Sequence, residues 1–436
     1  MPTQPEIQRV AQALADTFLA GDFDTRPMAR RASKHFLKSW RGLGPLCGRL
    51  AEAFGPSTRP ARRDLIGAIT QDLTLRRWLK AGGMSKFNPD IGTRPKMRSA
   101  RGNPSCWDLP EITSPRVLAC WLDLTEPELR WFARPWRDST GPLQHYRHHW
   151  LAKRRGGHRL IEKPKVALKL IQQRILYRIL SHIPPHEAVH SFRPGRNVIS
   201  YTKPHCARPI LLHLDIADFF PSLHVGRVRA LFRTAGYPDA VANLLADLCC
   251  HTTPRPILTD TPSRLTWEQE RHLRSPHLPQ GAPTSPALSN LLGYRLDCRL
   301  AGLAASAGAN YGRYADDLAI SGDRKIANLA PLVGAILLEE GFSPNHQKTR
   351  LQRSGSRQRL AGTIVNSSSP NLCRRDYDRL KAILHNCAKR GPDGEDREGL
   401  GLDAFQLKLR GQIAWLSQLN PKRGSKLETL FDQISW

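Results

Sequence analysis

Apolar positions recur every three to four residues in IQRVAQALADTFLA, Ile7 to Ala20, the period of an amphipathic helix. The first ~80 residues continue in this way, and a second helix is expected to carry Arg30, Lys34, Lys38 and Arg41 on one stripe. Periodicity lapses from Gly82 to Pro110, a stretch rich in glycine, proline and cations that reads as a linker, and resumes at Ile112. In KRRGGHRLIEKP, Lys153 to Pro164, a Gly-Gly turn next to the short apolar Leu160-Ile161 segment predicts a hairpin. VALKLIQQRILYRIL, Val166 to Leu180, has the helical period again. ILLHLDIADFFPSL, Ile210 to Leu223, opens as an apolar strand that ends at Asp215, and LPQGAPTSPALSNLL, Leu278 to Leu292, is a Gly/Pro loop opening a helix. RQRLAGTIVN, Arg357 to Asn366, predicts a further strand. Beyond it Leu409, Ile413 and Leu416, then Leu427, Leu430, Phe431 and Ile434, fall at helical spacing. The pattern is that of an α/β chain, with no internal repeat.

Composition narrows the class of partner. The 436 residues, 40% of them hydrophobic, suffice for a sizeable core, and 66 Lys+Arg against 38 Asp+Glu leave a formal charge of +28. Such an excess favours a polyanion, nucleic acid first. Membrane attachment is the competing use of basic charge, but no apolar run approaches ~18 residues and the N-terminus carries no apolar signal region. A cytoplasmic protein without a membrane partner is expected. The nine cysteines include no C-x-x-C pair, which indicates neither a disulfide framework nor a zinc ribbon. His182, His186 and His190 are spaced like metal ligands on a helix, but Pro184 and Pro185 break that helix and leave them as loop histidines. The stripe of Arg30, Lys34, Lys38 and Arg41 fits either a phosphate grip or an ordinary solvated face.

Within NYGRYADDLAISG, Asn310 to Gly322, Asp316 and Asp317 stand side by side between an aromatic and an apolar segment. Two carboxylates ~4 Å apart repel by about 4 kcal/mol at an effective dielectric of 20, so a half-buried pair requires a neutralising charge. A divalent cation supplies one. Asp215 at a strand end suits the same purpose, although alone it would read equally as the N-cap of the next helix. The Gln280-Gly281 loop offers free N–H groups and small side chains to a planar base pair; Arg159 offers a cation to phosphates, and Lys348 lies in a cationic loop. Each element is ambiguous singly. Three carboxylates on two strands, a Gln-Gly-Ala-Pro loop between them and a lysine after them form the ordered set that two-metal phosphoryl transfer requires.

With YADD, LDIADFF, LPQGAPTSP and GGHRLIEKP in this order, the chain from roughly Thr113 to Trp436 resembles the reverse transcriptases. HSFRPGRNVISYTKPH, His190 to His205, and KTRLQRSGSRQRLAGTIVN, Lys348 to Asn366, suggest the bacterial retron subgroup. Two places depart from the subgroup's pattern: Tyr201-Thr202 stands where it tends to have Asn-Ala, and Leu360-Ala361-Gly362 where it tends to have Val-Thr-Gly. The resemblance implies a right-hand polymerase, with fingers and palm over residues 111–366 and a helical RNA-binding thumb over 367–436; residues 1–110, read above as a basic helical extension with linker, lie outside it. It implies Asp215, Asp316 and Asp317 as catalytic ligands of two Mg²⁺ ions, with Asp215 and Asp316 the permanent ones. Phe220 then sorts deoxyribose from ribose, Gln280 lies over the incoming nucleotide, and Lys348 and Arg159 meet its phosphates. The implied substrates are dNTPs and a cognate structured non-coding RNA that is template and primer, copied from an internal 2′-hydroxyl into branched RNA–DNA. An RNA–DNA hybrid is the product, an effector protein is an expected partner, and the implied setting is defence against phage. The alternatives are another bacterial reverse transcriptase, of group II intron or defence-associated type, and a non-catalytic RNA-binding scaffold.

Overall fold

The first helix, Gln4–Leu19, forms because its apolar stripe has a core to enter: Val10, Leu14 and Phe18 are wholly buried. Met28, Leu46, Leu65 and Leu75, from the helices Thr25–Ala32, Leu43–Phe54, Arg62–Gln71 and Leu73–Lys80, complete that core. The computed structural model describes residues 3–19, 23–54, 60, 62–89, 107–133, 143–153 and 156–436; the middle of the expected linker lies outside them. Met1–Ile183 and Leu223–Leu288 make one compact unit, Pro184–Ser222 and Ser289–Trp436 the other.

The basic stripe is not helical throughout. Arg30 is on the helix Thr25–Ala32, Lys34 lies in a single 3₁₀ turn, Ser33–His35, and Lys38 and Arg41 follow outside any helix. The helix stops because the next residues are drawn inward. His35 is buried, its Nδ1 lies 2.8 Å from the Asn88 carbonyl and its ring stacks on Phe87, while Phe36 turns extended and pairs with Phe87 as an isolated bridge. All four cations are exposed, but they share no helical face.

In the first unit the expected hairpin is present. β1 (Tyr146–Ala152) pairs antiparallel with β2 (His158–Pro164), and Gly156 and Gly157 near the turn take φ of 90° and 73°, a region that glycine enters without steric cost. The helix Val166–Arg178 follows, two residues shorter than its periodicity suggested because Leu180–His182 tightens into 3₁₀ geometry.

The second unit is built on a four-stranded antiparallel sheet in the order β4 (Asn310–Tyr314), β5 (Asp317–Gly322), β3 (Ile210–Asp215), β6 (Arg350–Arg353). As an inner strand, β3 is buried along nearly its whole length, which explains its continuous apolar run. The strand expected over RQRLAGTIVN is instead a hairpin of two short strands, β7 (Arg359–Leu360) and β8 (Thr363–Ile364). Its loop residues, Ala361 and Gly362, both have positive φ, the conformation of a two-residue hairpin turn. After it the helices Arg374–Arg390, Leu402–Leu419 and Pro421–Phe431 bury Leu409, Ile413, Leu416, Leu427, Phe431 and Ile434 in one cluster, as the spacing predicts. No helix among the described residues is long and apolar enough to cross a membrane.

Candidate active site

Asp215 closes β3 and stands opposite Asp317, the first residue of β5, in the antiparallel register. Asp316 is placed by the turn before it. Tyr314 pairs with Asp317, so the β4–β5 hairpin has a two-residue loop of Ala315 and Asp316, and Ala315 takes a φ of 56°. A side chain in that region costs about 1–3 kcal/mol and persists only where its surroundings over-determine it. Here the Ala315 N–H donates to Ser191 Oγ at 2.8 Å, Arg313 donates to the Ala315 carbonyl at 3.3 Å, and the Ile216 N–H donates to the Asp316 carbonyl at 2.9 Å.

Arg313 is wholly buried. Its Nε donates to Asp297 Oδ1 at 2.8 Å and its Nη2 to Asp297 Oδ2 at 2.7 Å, a bidentate pair in which both side chains are inaccessible to solvent. Tyr311 adds a hydrogen bond to Asp297 Oδ1 at 2.8 Å, and the Phe219 ring lies 5.8 Å from the guanidinium. This network beneath the turn was not legible in the sequence, where Arg313 reads as one more basic residue and Asp297 as a charge on a helix.

The three carboxylates have different surroundings. Asp215 is buried; Lys348 Nζ lies 2.9 Å from each of its oxygens, and Asn345 donates to its Oδ1 at 3.0 Å. Asp317 is half-buried, with His213 Nε2 3.1 Å from Oδ1. For Asp316, burial first, and then the charges of Asp215 and Asp317, push the pKa up to about 6. Burial is the larger cause, and the two neighbouring carboxylates add to it although Lys348 offsets part of their charge. Hard oxygen ligands with surplus charge at a strand end and a hairpin loop fit a divalent cation, and Asp215, Asp316 and Asp317 are the residues able to hold one.

Phe220 follows in the same unit, half-buried, with its ring 5.6 Å from that of Phe219. Arg159 and Gln280 belong to the other unit. Arg159 is exposed on β2, and three residues further along that strand the Glu162 N–H donates to the Gln280 carbonyl at 2.9 Å. Gly281 has a φ of 130°, and a Cβ there would stand 3.0 Å from the Glu162 carbonyl oxygen, so glycine is required for this close approach. Ser191, His213, Asn345, Asp297 and Arg313 are site residues that sequence reasoning did not single out.

The family model described as "Reverse transcriptase (RNA-dependent DNA polymerase)" matches residues 151–368. The chain is 40% identical over 294 residues to "Retron Mx65 reverse transcriptase" of Myxococcus xanthus, covering 65% of this chain and 64% of that protein. It is 34% identical over 337 residues to "Retron Mx162 reverse transcriptase" of the same organism, covering 72% and 66%, and 29% identical over 272 residues to "Retron Ec86 reverse transcriptase" of Escherichia coli, covering 61% and 78%. It thus spans just under two thirds of the two Myxococcus proteins. The match includes β3 with Asp215, the Gln280 loop, the strained Ala315 turn and Lys348, and on that ground the chain belongs to the reverse transcriptase family.

Proposed function

We propose that the protein is an RNA-directed DNA polymerase of the retron type, which copies a cognate structured non-coding RNA with dNTPs. One observation carries the reading: Asp215 and Asp317 face each other on paired strands with Asp316 in the adjoining hairpin loop, and burial, then the charges of the other two, raise Asp316 to about 6. Two Mg²⁺ ions held by this trio, with Asp215 and Asp316 as the permanent ligands, would stabilise the attacking and leaving oxygens of an in-line displacement. The chain's own residues do the remaining work. Lys348 leaves Asp215 for the nucleotide phosphates, Arg159 holds the triphosphate, Gln280 covers the base, and Phe220 borders the sugar where a 2′-hydroxyl would lie.

In this reading the chain is a right-hand polymerase. Residues 1–110 are its basic extension and linker, in which Arg30, Lys34, Lys38 and Arg41 meet phosphates; 111–366 are fingers and palm, and 367–436 the RNA-binding thumb. Synthesis starts from an internal 2′-hydroxyl of the RNA and leaves an RNA–DNA hybrid joined by a branch. The enzyme works in the cytoplasm, in antiphage defence beside an effector protein. The relatives named for retrons, at 40% and 34% identity, support the retron assignment.

The test is incorporation of labelled dNTPs on an RNA template by the wild type and Asp316→Asn. The substitution should cost about 10³-fold or more in rate, since it removes a ligating charge at nearly constant volume, while RNA retention on a filter stays within a few-fold. Activity near that of the wild type would remove the catalytic assignment. Priming is tested on the co-purified nucleic acid. Ribonuclease should leave a ribonucleotide remnant that a debranching enzyme releases, whereas DNA beginning at an ordinary 3′-hydroxyl would keep the polymerase and discard the retron.

A further inference from the structure

A second cluster of metal-ligating side chains lies in the first unit, on residues that the polymerase reading does not use. His148 on β1 and Glu162 on β2 face each other across the hairpin register, and His251 follows the helix Asp239–Cys249. Their ligating atoms converge: His148 Nε2 lies 3.0 Å from His251 Nε2, and Glu162 Oε1 lies 3.9 Å from the first and 3.8 Å from the second. The side chains are 5%, 10% and 1% exposed for His148, His251 and Glu162. We propose that His148, His251 and Glu162 form a binding site for a divalent transition metal, zinc in the first instance.

Geometry carries the assignment. The two nitrogen–oxygen separations are too long for hydrogen bonds, yet they are ordinary between two ligands of one ion. A triangle with these three sides has a circumscribed radius of about 2.1 Å, so the in-plane point equidistant from all three atoms already stands at the Zn–N and Zn–O bond length, and a small outward shift of the ligands would let the ion leave that plane toward a fourth ligand. Two imidazoles and one carboxylate are a zinc ligand set that leaves a fourth position for water.

The ligands are held by their surroundings, as a preformed site requires. Glu162 Oε2 accepts from His277 Nε2 at 2.9 Å, and Oε1 accepts from Thr253 Oγ1 at 2.7 Å. His277 is itself fixed, with Nδ1 2.7 Å from the Ser275 carbonyl and its backbone paired both ways with His251. The His251 ring stacks on Tyr146 at 4.0 Å, and the Tyr146 hydroxyl accepts from Gln172 at 2.9 Å. Because Thr253 already donates to Oε1 and His277 holds Oε2, the ion shares the carboxylate with existing partners, and a chelator should strip it. A bound ion would clasp the β1–β2 hairpin to the segment that carries His251. The inference is independent of the polymerase reading, since its readout is the metal itself.

The experiment uses the full chain, purified without a histidine tag and stripped with EDTA. Titration with Co²⁺ should give the visible absorption of a low-coordinate ion, saturating near about one equivalent and displaced by Zn²⁺. His148→Asn and His251→Asn should lose that absorption, whereas Asp316→Asn should keep it. X-ray absorption on the zinc-loaded wild type needs no variant, and should show only light scatterers at about 2.0–2.1 Å, two of them imidazole. No absorption in the wild type, its survival in both histidine variants, or sulfur in the zinc shell would each overturn the site.

Discussion

Lys348 spans the carboxylate of Asp215, with Nζ 2.9 Å from Oδ1 and 2.9 Å from Oδ2. The ammonium therefore occupies the acid that a catalytic cation would need, and the two positive charges are alternatives at one carboxylate. Lys348→Met should leave Asp215 buried beside Asp316 without its partner and destabilise the metal-free protein by about 1–3 kcal/mol, less than for a fully buried pair because the lysine side chain is 41% exposed. Mg²⁺ should then restore more stability to the variant than it adds to the wild type. Melting curves with EDTA and with Mg²⁺ measure both; equal Mg²⁺ responses would show that lysine and cation do not compete.

The buried pair of Arg313 and Asp297 is expected to support the turn that aims Asp316. Arg313→Met strands a buried carboxylate and releases the Ala315 carbonyl, and should cost about 3–5 kcal/mol in urea unfolding. Arg313→Met with Asp297→Leu should recover much of that stability but not the activity, because a hydrophobic replacement packs without holding the strained loop. Recovery of both would limit the pair to a packing role.

His205 gives the second unit an acid-sensitive point. Its Nδ1 lies 2.7 Å from Ser321 Oγ, its Nε2 is buried without a hydrogen-bond partner, and burial is the main cause of a pKa pushed down to about 3. The unfolded chain binds a proton near 6.5 that the folded chain refuses, so stability is full above 6.5 and is lost as pH falls from there toward 3. The loss is about 3–5 kcal/mol in order of magnitude. His205→Gln should flatten the slope of unfolding free energy between those pH values; an unchanged slope would assign the acid sensitivity to other groups.

What the sequence disclosed depended on whether the signal was local. The Gly156-Gly157 hairpin, the apolar run of β3 and the helical spacing of Leu409, Ile413 and Leu416 each depend on neighbours in the chain, and each appears where its pattern lies. The run through Arg30, Lys34, Lys38 and Arg41 misleads because the residues between the cations decide the backbone, and His35 and Phe36 are pulled into the core. Ala361-Gly362 was legible as a turn only through its glycine, and the strand reading passed over it. The supporting networks were out of reach. Arginine is ordinarily exposed, so nothing local marks Arg313 as 0% accessible, and His148 meets His251 across 103 positions of chain.

Phe220 offers the sharpest test of how the site treats its substrate. It stands five residues after Asp215, in a turn fixed by the Ser222 N–H on the Asp218 carbonyl at 2.9 Å and Ser222 Oγ on the Phe219 carbonyl at 2.9 Å. Phe219 faces inward, buried and 5.8 Å from the Phe342 ring, and this anchors the turn while Phe220 stays half-exposed. In the proposed reading a ring held in this way excludes a 2′-hydroxyl by shape rather than by bonding. Phe220→Ala should therefore raise ribonucleotide over deoxyribonucleotide incorporation by about 10–100-fold, the range that steric selection of one small group supplies. Stability should fall little, because the ring is only half-buried and Phe219 keeps its packing. Single-nucleotide extension with each substrate measures the ratio, and thermal melting measures the fold. An unchanged ratio in a folded variant would place the sugar against another wall of the site, whereas a raised ratio with unaltered melting would assign sugar selection to this side chain.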